Sequence, residues 1–226
     1  MNRLRDPKTE LVASIINDNA IRDIANLLVV GCGSGVEAAI LARCLDAMVV
    51  GIDVSEDFDP ESAKFASLQY GDAMAMTFED DSFDFIYCYH ALEHIPGPER
   101  ALAEMGRVLK PGGGFWIGTP NRLRALGYIG SKTATFSEKV RWNYIDWKAR
   151  LSGKFRNEYG AHAGYSAKEL ESLLSAAFPI VTNVTDTYFS TIYSRHPTFI
   201  SVIRLTGLSR IIYPSVYFMG RNQPLP

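Results

Sequence analysis

Nine residues, Leu27 to Gly35 (Leu-Leu-Val-Val-Gly-Cys-Gly-Ser-Gly), constrain this 226-residue chain more than any other stretch. Four apolar residues, two of them β-branched, run into three alternating glycines and then into Val36-Glu37-Ala38-Ala39-Ile40-Leu41-Ala42, a good helix former. The pattern predicts a buried strand, a tight turn and a helix. Glycine supplies positive φ, or room for a ligand against the backbone, and the helix that follows aims unpaired N–H groups at that ligand. Spacing narrows the choice. Gly31, Gly33 and Gly35 make G-x-G-x-G, and Val36 stands where the dinucleotide fingerprint places its third glycine, which argues against NAD. No Gly-Lys-Ser/Thr follows, so a phosphate-binding P-loop is excluded.

Around this turn the sequence alternates. Strands are expected at 27–31, 48–53, 67–70, 83–88 and 114–119, with helices at 35–46, 60–66 and 98–109. Such alternation implies right-handed crossovers and a parallel, doubly wound α/β sheet whose ligands sit at the carboxyl ends of the strands. A chain of this length with 47% apolar residues fills one large core. One domain over 1–226 is therefore expected: an N-terminal helix within 1–26, a core at 27–120, an insertion at 121–164, and a C-terminal sheet half at 165–226 that carries a second insertion at 188–213. The N-terminal helix takes Leu11, Ile15, Ile16, Ile21 and Ile24 as its apolar side and is expected to cap the sheet edge or the ligand cleft. Ser166 with Glu169 three residues on is a capping-box helix start, and strands are expected near 179–186 and 215–220. Cys32, Cys44 and Cys88 have neither metal-ligand spacing nor an even-numbered framework. No metal site is expected, and a reducing cytoplasm fits. The first residues carry no apolar signal core, and no run of 18 uncharged apolar residues occurs.

Charge is unevenly spread. Residues 121–160 carry nine Lys/Arg (Arg122, Arg124, Lys132, Lys139, Arg141, Lys148, Arg150, Lys154 and Arg156) against three acids, interleaved with Trp142, Tyr144, Trp147 and Phe155. Residues 187–226 add four Arg and no acid, while the whole chain has a net charge of −2. The overall balance argues against a general nucleic-acid surface. A basic, aromatic cover over an acidic core suits an anionic acceptor. Arg204 and Arg210 among Phe199, Ile200, Ile203, Ile211 and Ile212 suit either peripheral contact with an anionic membrane or, more simply, the packing of a substrate lid.

Asp53, ending the second strand, can accept hydrogen bonds from both hydroxyls of a ribose. Asp72, after the third strand, can accept from an adenine amino group while the Ala73 N–H donates to the ring. The densest part follows: Asp81-Ser82-Phe83-Asp84-Phe85-Ile86, then Leu92-Glu93-His94, Arg107-Val108-Leu109-Lys110-Pro111-Gly112-Gly113 and Thr119-Pro120-Asn121. With these motifs in order, residues 25–121 strongly resemble the class I S-adenosylmethionine-dependent methyltransferases, in their small-molecule and lipid branch; 160–187 resemble them weakly. The resemblance implies a Rossmann-like seven-stranded sheet, mostly parallel with an antiparallel last strand, and S-adenosylmethionine as cofactor. It implies that Gly31, Cys32, Gly33 and Gly35 surround the methionine part, Asp53 holds the ribose with Val54 against the adenine, Asp72 and Ala73 read the adenine edge, and the backbone of Cys88 and Tyr89 meets the cofactor's amino group. Pro111 and Gly112–Gly114 are then a structural turn.

Glu93 and His94 resemble an acid/base pair but in such families mostly shape the cleft. His90 is expected nearer the transferred methyl group, and His162, where the insertion returns to the core, can take a hydroxyl proton as a neutral imidazole. The leading expectation is methyl transfer to a hydroxyl of a small or lipid-linked metabolite of glycan, quinone or polyketide type, in a bacterial cytoplasm. The alternatives are an RNA methyltransferase, for which no RNA module or Asn-Pro-Pro-Tyr-like motif is present, and a non-catalytic cofactor-binding partner.

Overall fold

The computed structural model describes residues 4–19, 23–128, 134–157 and 162–222. Ile21, expected on the N-terminal helix, and Lys132, expected in the basic insertion, lie outside the described residues. Seven strands, β1 (Asn26–Val30), β2 (Met48–Asp53), β3 (Ser67–Tyr70), β4 (Phe83–Tyr89), β5 (Leu109–Pro120), β6 (Ile180–Asn183) and β7 (Ser215–Arg221), form one sheet in the order β3-β2-β1-β4-β5-β7-β6. β1 to β5 are parallel and β7 runs antiparallel to both neighbours, as expected. Strand order reverses between β1 and β4, which is where a doubly wound sheet opens a ligand crevice.

Period-two alternation explains how both faces are buried. On β1, Leu28 and Val30 face one core and Leu27 and Val29 the other; on β4, Ile86 and Cys88 oppose Phe85 and Tyr87. The first face is covered by α3 (Pro98–Val108) and α5 (Ala167–Ala177). On α3, Ala101, Leu102, Met105 and Val108 recur at helical spacing, and Pro98 opens the helix where no N–H is required. The capping box is present on α5: the Glu169 N–H donates to Ser166 Oγ, and Glu169 Oε2 accepts from the Ser166 N–H at 2.7 Å. The second face is covered by α1 (Pro7–Asn19), α2 (Val36–Leu45) and α6 (Thr185–Ile192). Val12, Ala13, Ile15 and Ile16 of α1 are buried there and Leu11 is half-buried, so this helix covers a sheet face rather than an edge. Ile24 lies beyond its end.

The Phe83-Asp84 and Lys110 motif residues fasten the far end of the sheet. Buried Asp84 accepts from the Asn26 N–H at 2.9 Å and from Lys110 Nζ at 2.8 Å. Burial alone would raise its pKa, but these two partners outweigh it and the carboxyl is held below the usual range.

Three boundaries differ from expectation. The short helix near 60–66 is a single 3₁₀ turn, Ser62–Lys64, and β5 extends back through the glycine run to Leu109. β6 stops at Asn183 because Asn183 Oδ1 accepts from the Thr185 N–H and the Val184 N–H and Thr185 hydroxyl turn onto the Tyr217 carbonyl, so Thr185 and Asp186 begin α6 instead of ending a strand. The 121–164 insertion holds α4 (Phe136–Leu151), and the 188–213 region holds α7 (Pro197–Leu205) and α8 (Ser209–Ile212).

Candidate active site

Sheet register puts the expected cofactor residues in one row. Val30 pairs with both Ile52 and Cys88, and Asp53 pairs with Tyr70, so the loops after β1, β2, β3 and β4 leave the sheet at one level. Gly31, Gly33 and Gly35 all have positive φ (71°, 51° and 86°). At Gly33 no protein atom lies within 4 Å of where a Cβ would stand, so its backbone faces open space. Gly31, in contrast, abuts Ala91, which fixes the floor of the turn.

Asp53 braces this turn. Its Oδ2 accepts from the Gly33 N–H at 2.8 Å and its Oδ1 from the Ser55 N–H at 2.9 Å. Each oxygen keeps a second lone pair for an outside donor such as a ribose hydroxyl. Val54 stands exposed beside it. Asp72 is half-buried and its Oδ1 accepts from the Met74 N–H at 2.8 Å, while the Ala73 side chain packs into the core. Cys88 is fully buried, so its thiol offers nothing to a ligand. Burial, with the charge of Asp53, pushes the Cys32 thiol up to about 12, and burial, with Glu93, does the same to Cys88. Neither thiol is a nucleophile at neutral pH.

Beyond the end of β4 lies a second space. A cavity of about 560 Å³ is walled by aromatic and aliphatic side chains from α6, α7, α8 and β7, among them Tyr188, Phe189, Phe199, Ile200 and Tyr217, with Lys8 of α1 also at the wall. Tyr89, His90 and His162 share that wall, so both expected catalytic histidines face one cavity. His90 is held at φ 52°, and its Nε2 lies 3.2 Å from Ser215 Oγ. Burial, then the positive charges of Arg124 and Lys8, hold its pKa well below the usual imidazole range, so it stays neutral. His162 is exposed, its ring 4.7 Å edge-on from His94.

Behind the histidines sits Glu93. Its side chain is fully buried, neither oxygen has a hydrogen-bond partner among the described residues, and the ring nitrogens His90 Nδ1 and His94 Nε2 are 3.9 Å from Oε1. Burial raises this carboxyl to about 7 against the pull of its own amide and Arg124.

Sequence reasoning missed the fastening of the insertion. Buried Arg124 reaches Asp146 of α4 at 3.1 Å and donates to the carbonyls of Asn121, His162 and Ala163. Arg150 donates to the carbonyls of Arg122 and Arg124 and lies 4.0 Å over the Phe155 ring, and Arg122 pairs with Glu169 at 2.6 Å. Three of the nine expected surface cations are thus internal ties. A capping box at Thr135 and Glu138 marks the start of α4 and was the available signal. The aromatic wall had none, since Tyr188, Phe189, Tyr213 and Tyr217 follow no single period.

A crevice of this build, opening at the β1/β4 reversal of a sheet whose β7 alone is antiparallel, defines the fold of class I S-adenosylmethionine-dependent methyltransferases. Residues 28–117 match the family described as methyltransferase domain, for which the expected cofactor is S-adenosylmethionine. The open backbone at Gly33 and the spare lone pairs of Asp53 fit that cofactor.

Among curated relatives, the chain is 36% identical to a ubiquinone biosynthesis O-methyltransferase of Saccharophagus degradans, with 50% of each chain covered. It is 30% identical to the 27-O-demethylrifamycin SV methyltransferase of Amycolatopsis mediterranei, covering 51% of this chain and 46% of that one. It is 37% identical to a demethylmenaquinone methyltransferase of Staphylococcus aureus, with 44% of each covered. The chain therefore spans about half the length of the curated relatives it matches. Of solved structures, phosphoethanolamine N-methyltransferase 2 of Haemonchus contortus, in complex with S-adenosyl-L-methionine, superposes with a TM-score of 0.59 at 18% identity, covering 96% of this chain and 52% of that one. The [4+2]-cyclase SpnF superposes at 0.57 and 18%, covering 96% and 81%. At such identities the likeness is one of fold.

Proposed function

We propose that this protein transfers a methyl group from S-adenosylmethionine to a hydroxyl of a small, largely apolar metabolite held in the aromatic cavity. The observation that carries the reading is that cavity, with two imidazoles on its wall, adjoining the strand ends that form the cofactor cleft. When bound, the cofactor supplies a sulfonium-activated methyl group, which leaves the protein to align the acceptor and exclude water. The aromatic wall does both. His162, exposed to the cavity, accepts the hydroxyl proton. His90, neutral and tied to Ser215, orients the acceptor by hydrogen bonding instead of titrating. On the cofactor side, Gly31, Cys32, Gly33 and Gly35 cradle the methionine part, Asp53 takes the ribose, Val54, Asp72 and Ala73 take the adenine, and the Cys88 and Tyr89 backbone takes the amino group.

The wall chemistry favours a quinone-, polyketide- or lipid-linked acceptor. O-methylation in two of the matched relatives supports the same choice. Among the described residues, an anionic acceptor has Lys8 and Arg124 as the lysine and arginine of the wall, and Arg124 already faces Asp146. An apolar acceptor of this kind also suits peripheral contact with a membrane. Among the described residues no helix is long and apolar enough to cross one.

The test incubates the protein and methyl-labelled cofactor with a lipid and aqueous extract of its host. Label in the organic phase, lost in His162→Ala with cofactor affinity retained, is the expected outcome. Cofactor binding without label transfer to any fraction would overturn the reading.

A further inference from the structure

Helix α4 is built inside out. A surface helix of a folded domain turns its apolar stripe inward, yet the buried residue of α4 is the carboxylate of Asp146, paired with Arg124. Five of its large apolar side chains point outward: Phe136, Val140, Tyr144, Trp147 and Leu151 are 83%, 53%, 68%, 47% and 87% exposed, while exposed Ile145 lies off this line and half-buried Trp142 packs on Tyr128. Their spacing of four, four, three and four places all five within about 80° of arc at 3.6 residues per turn. Exposed Arg141 and Lys148 flank one edge of the stripe.

The stripe does not end with α4. Trp147 Nε1 donates to the Ala125 carbonyl at 3.1 Å and the Ala125 N–H donates to the Ile211 carbonyl, so exposed Leu126 and Ile211 lie beside Trp147. α8 adds Ile212, with Leu208 just before it, and α7 adds exposed Phe199, Val202 and Leu205. Exposed Arg195, Arg204 and Arg210 accompany them. The acids of α4 are engaged, Glu138 in its cap and Asp146 with Arg124, and Asp186 of the neighbouring α6 lies 3.5 Å from Arg204.

We propose that α4, α7 and α8 form a docking face for an anionic lipid bilayer, the apolar stripe entering the interfacial region and the arginines and lysines meeting lipid phosphates. Charge selects this occupant. Exposed apolar side chains rimmed by more cations than acids complement a negatively charged leaflet, whereas a second copy of the same face would oppose like charges. The position of the cavity gives the face a use: Tyr193, Phe199 and Ile212 line the acceptor cavity and are also 43%, 58% and 38% exposed, so its mouth opens onto the docking face. That use rests on the acceptor reading above, while the docking itself does not.

The experiment is vesicle flotation of the full chain with phosphatidylcholine vesicles and with vesicles containing about a third phosphatidylglycerol. Tyr144→Glu/Leu151→Glu, which lies outside the cavity wall, is compared with the native chain, and cofactor affinity serves as the control for folding. The expected result is flotation only with the anionic vesicles, reduced at least tenfold by the double variant and by raising salt to about 1 M, where screening is complete within a few ångströms, with cofactor affinity unchanged. No flotation of the native chain, equal flotation with both vesicles, or a face that instead makes a dimer broken by the double variant would overturn the proposal. None of these outcomes bears on methyl transfer, which the labelling experiment reads separately.

Discussion

Replacing Glu93 by glutamine is expected to change how stability depends on pH. The carboxyl is buried without a hydrogen-bond partner among the described residues, and burial raises its pKa to about 7, against 4.5 for an ordinary glutamate. Between those values the folded chain holds a proton that the unfolded chain has released. Stability therefore falls as pH rises through this window and levels off above 7. At 1.36 kcal/mol per pH unit the cost of ionising Glu93 in the folded state reaches about 3 kcal/mol. Glutamine has the same shape and no charge to bury, so urea melts should find Glu93→Gln within about 1 kcal/mol of the native chain at pH 5 and more stable by up to about 3 kcal/mol at pH 8. In thermal melts the alkaline gain corresponds to roughly 6–12 °C for a chain of this size. Glu37, which burial also holds at about 7, titrates in both proteins and cancels from the difference. Parallel stability curves for the two proteins would show that Glu93 is not a buried, uncompensated carboxyl and would refute the reasoning.

Other perturbations separate the cofactor cleft from the lid. Asp53→Ala removes charged acceptors worth about 1.5–3 kcal/mol and should weaken cofactor binding about ten- to hundredfold by calorimetry; unchanged affinity would remove the ribose role. Gly33→Val fills the open space over the turn and should abolish cofactor binding while costing about 1–2 kcal/mol of stability for a left-handed valine, so a folded variant that still binds would place the cofactor elsewhere. Asp146→Asn leaves the Arg124 charge buried without its counter-ion, a loss of about 3–5 kcal/mol, and should speed amide exchange across α4. Exchange unchanged there would mean that the ion pair does not fasten the helix.

The proposed cofactor half could be drawn from the sequence because backbone and short-range rules build it. The Gly31–Gly35 turn, the strand-terminal Asp53 and the alternating apolar runs each state their own conformation, and the sheet register only brings them level. Even the capping box of α5 could be read from two residues. The acceptor half follows other rules. Tyr188, Phe189, Tyr213 and Tyr217 meet through tertiary packing of α6 against β7, with ring centroids such as Tyr188 to Tyr217 at 4.2 Å, and no local period announces it. The basic insertion misled in one respect: counted as charge it suggested a cationic cover, but Arg122, Arg124 and Arg150 turn inward to satisfy carbonyls and carboxylates, which only the folded loop supplies. β6 was drawn too long because Val181, Thr182, Val184 and Thr185 are β-branched and suit a strand, a preference that side-chain bonds to the backbone then override.

The division of the site between strand ends has an evolutionary corollary. The loops after β1 to β4 carry the residues proposed to hold the cofactor, while the cavity wall is supplied mostly by chain that follows β5, and the two meet at Tyr89 and His90. The family match ends at residue 117, just inside the end of β5. A lineage could rewrite everything beyond that strand, exchanging one acceptor for another, without disturbing a single contact in the glycine turn. Descent in this group would then read as a constant engine with interchangeable jaws, in which resemblance tracks the donor and divergence tracks the molecule that is modified.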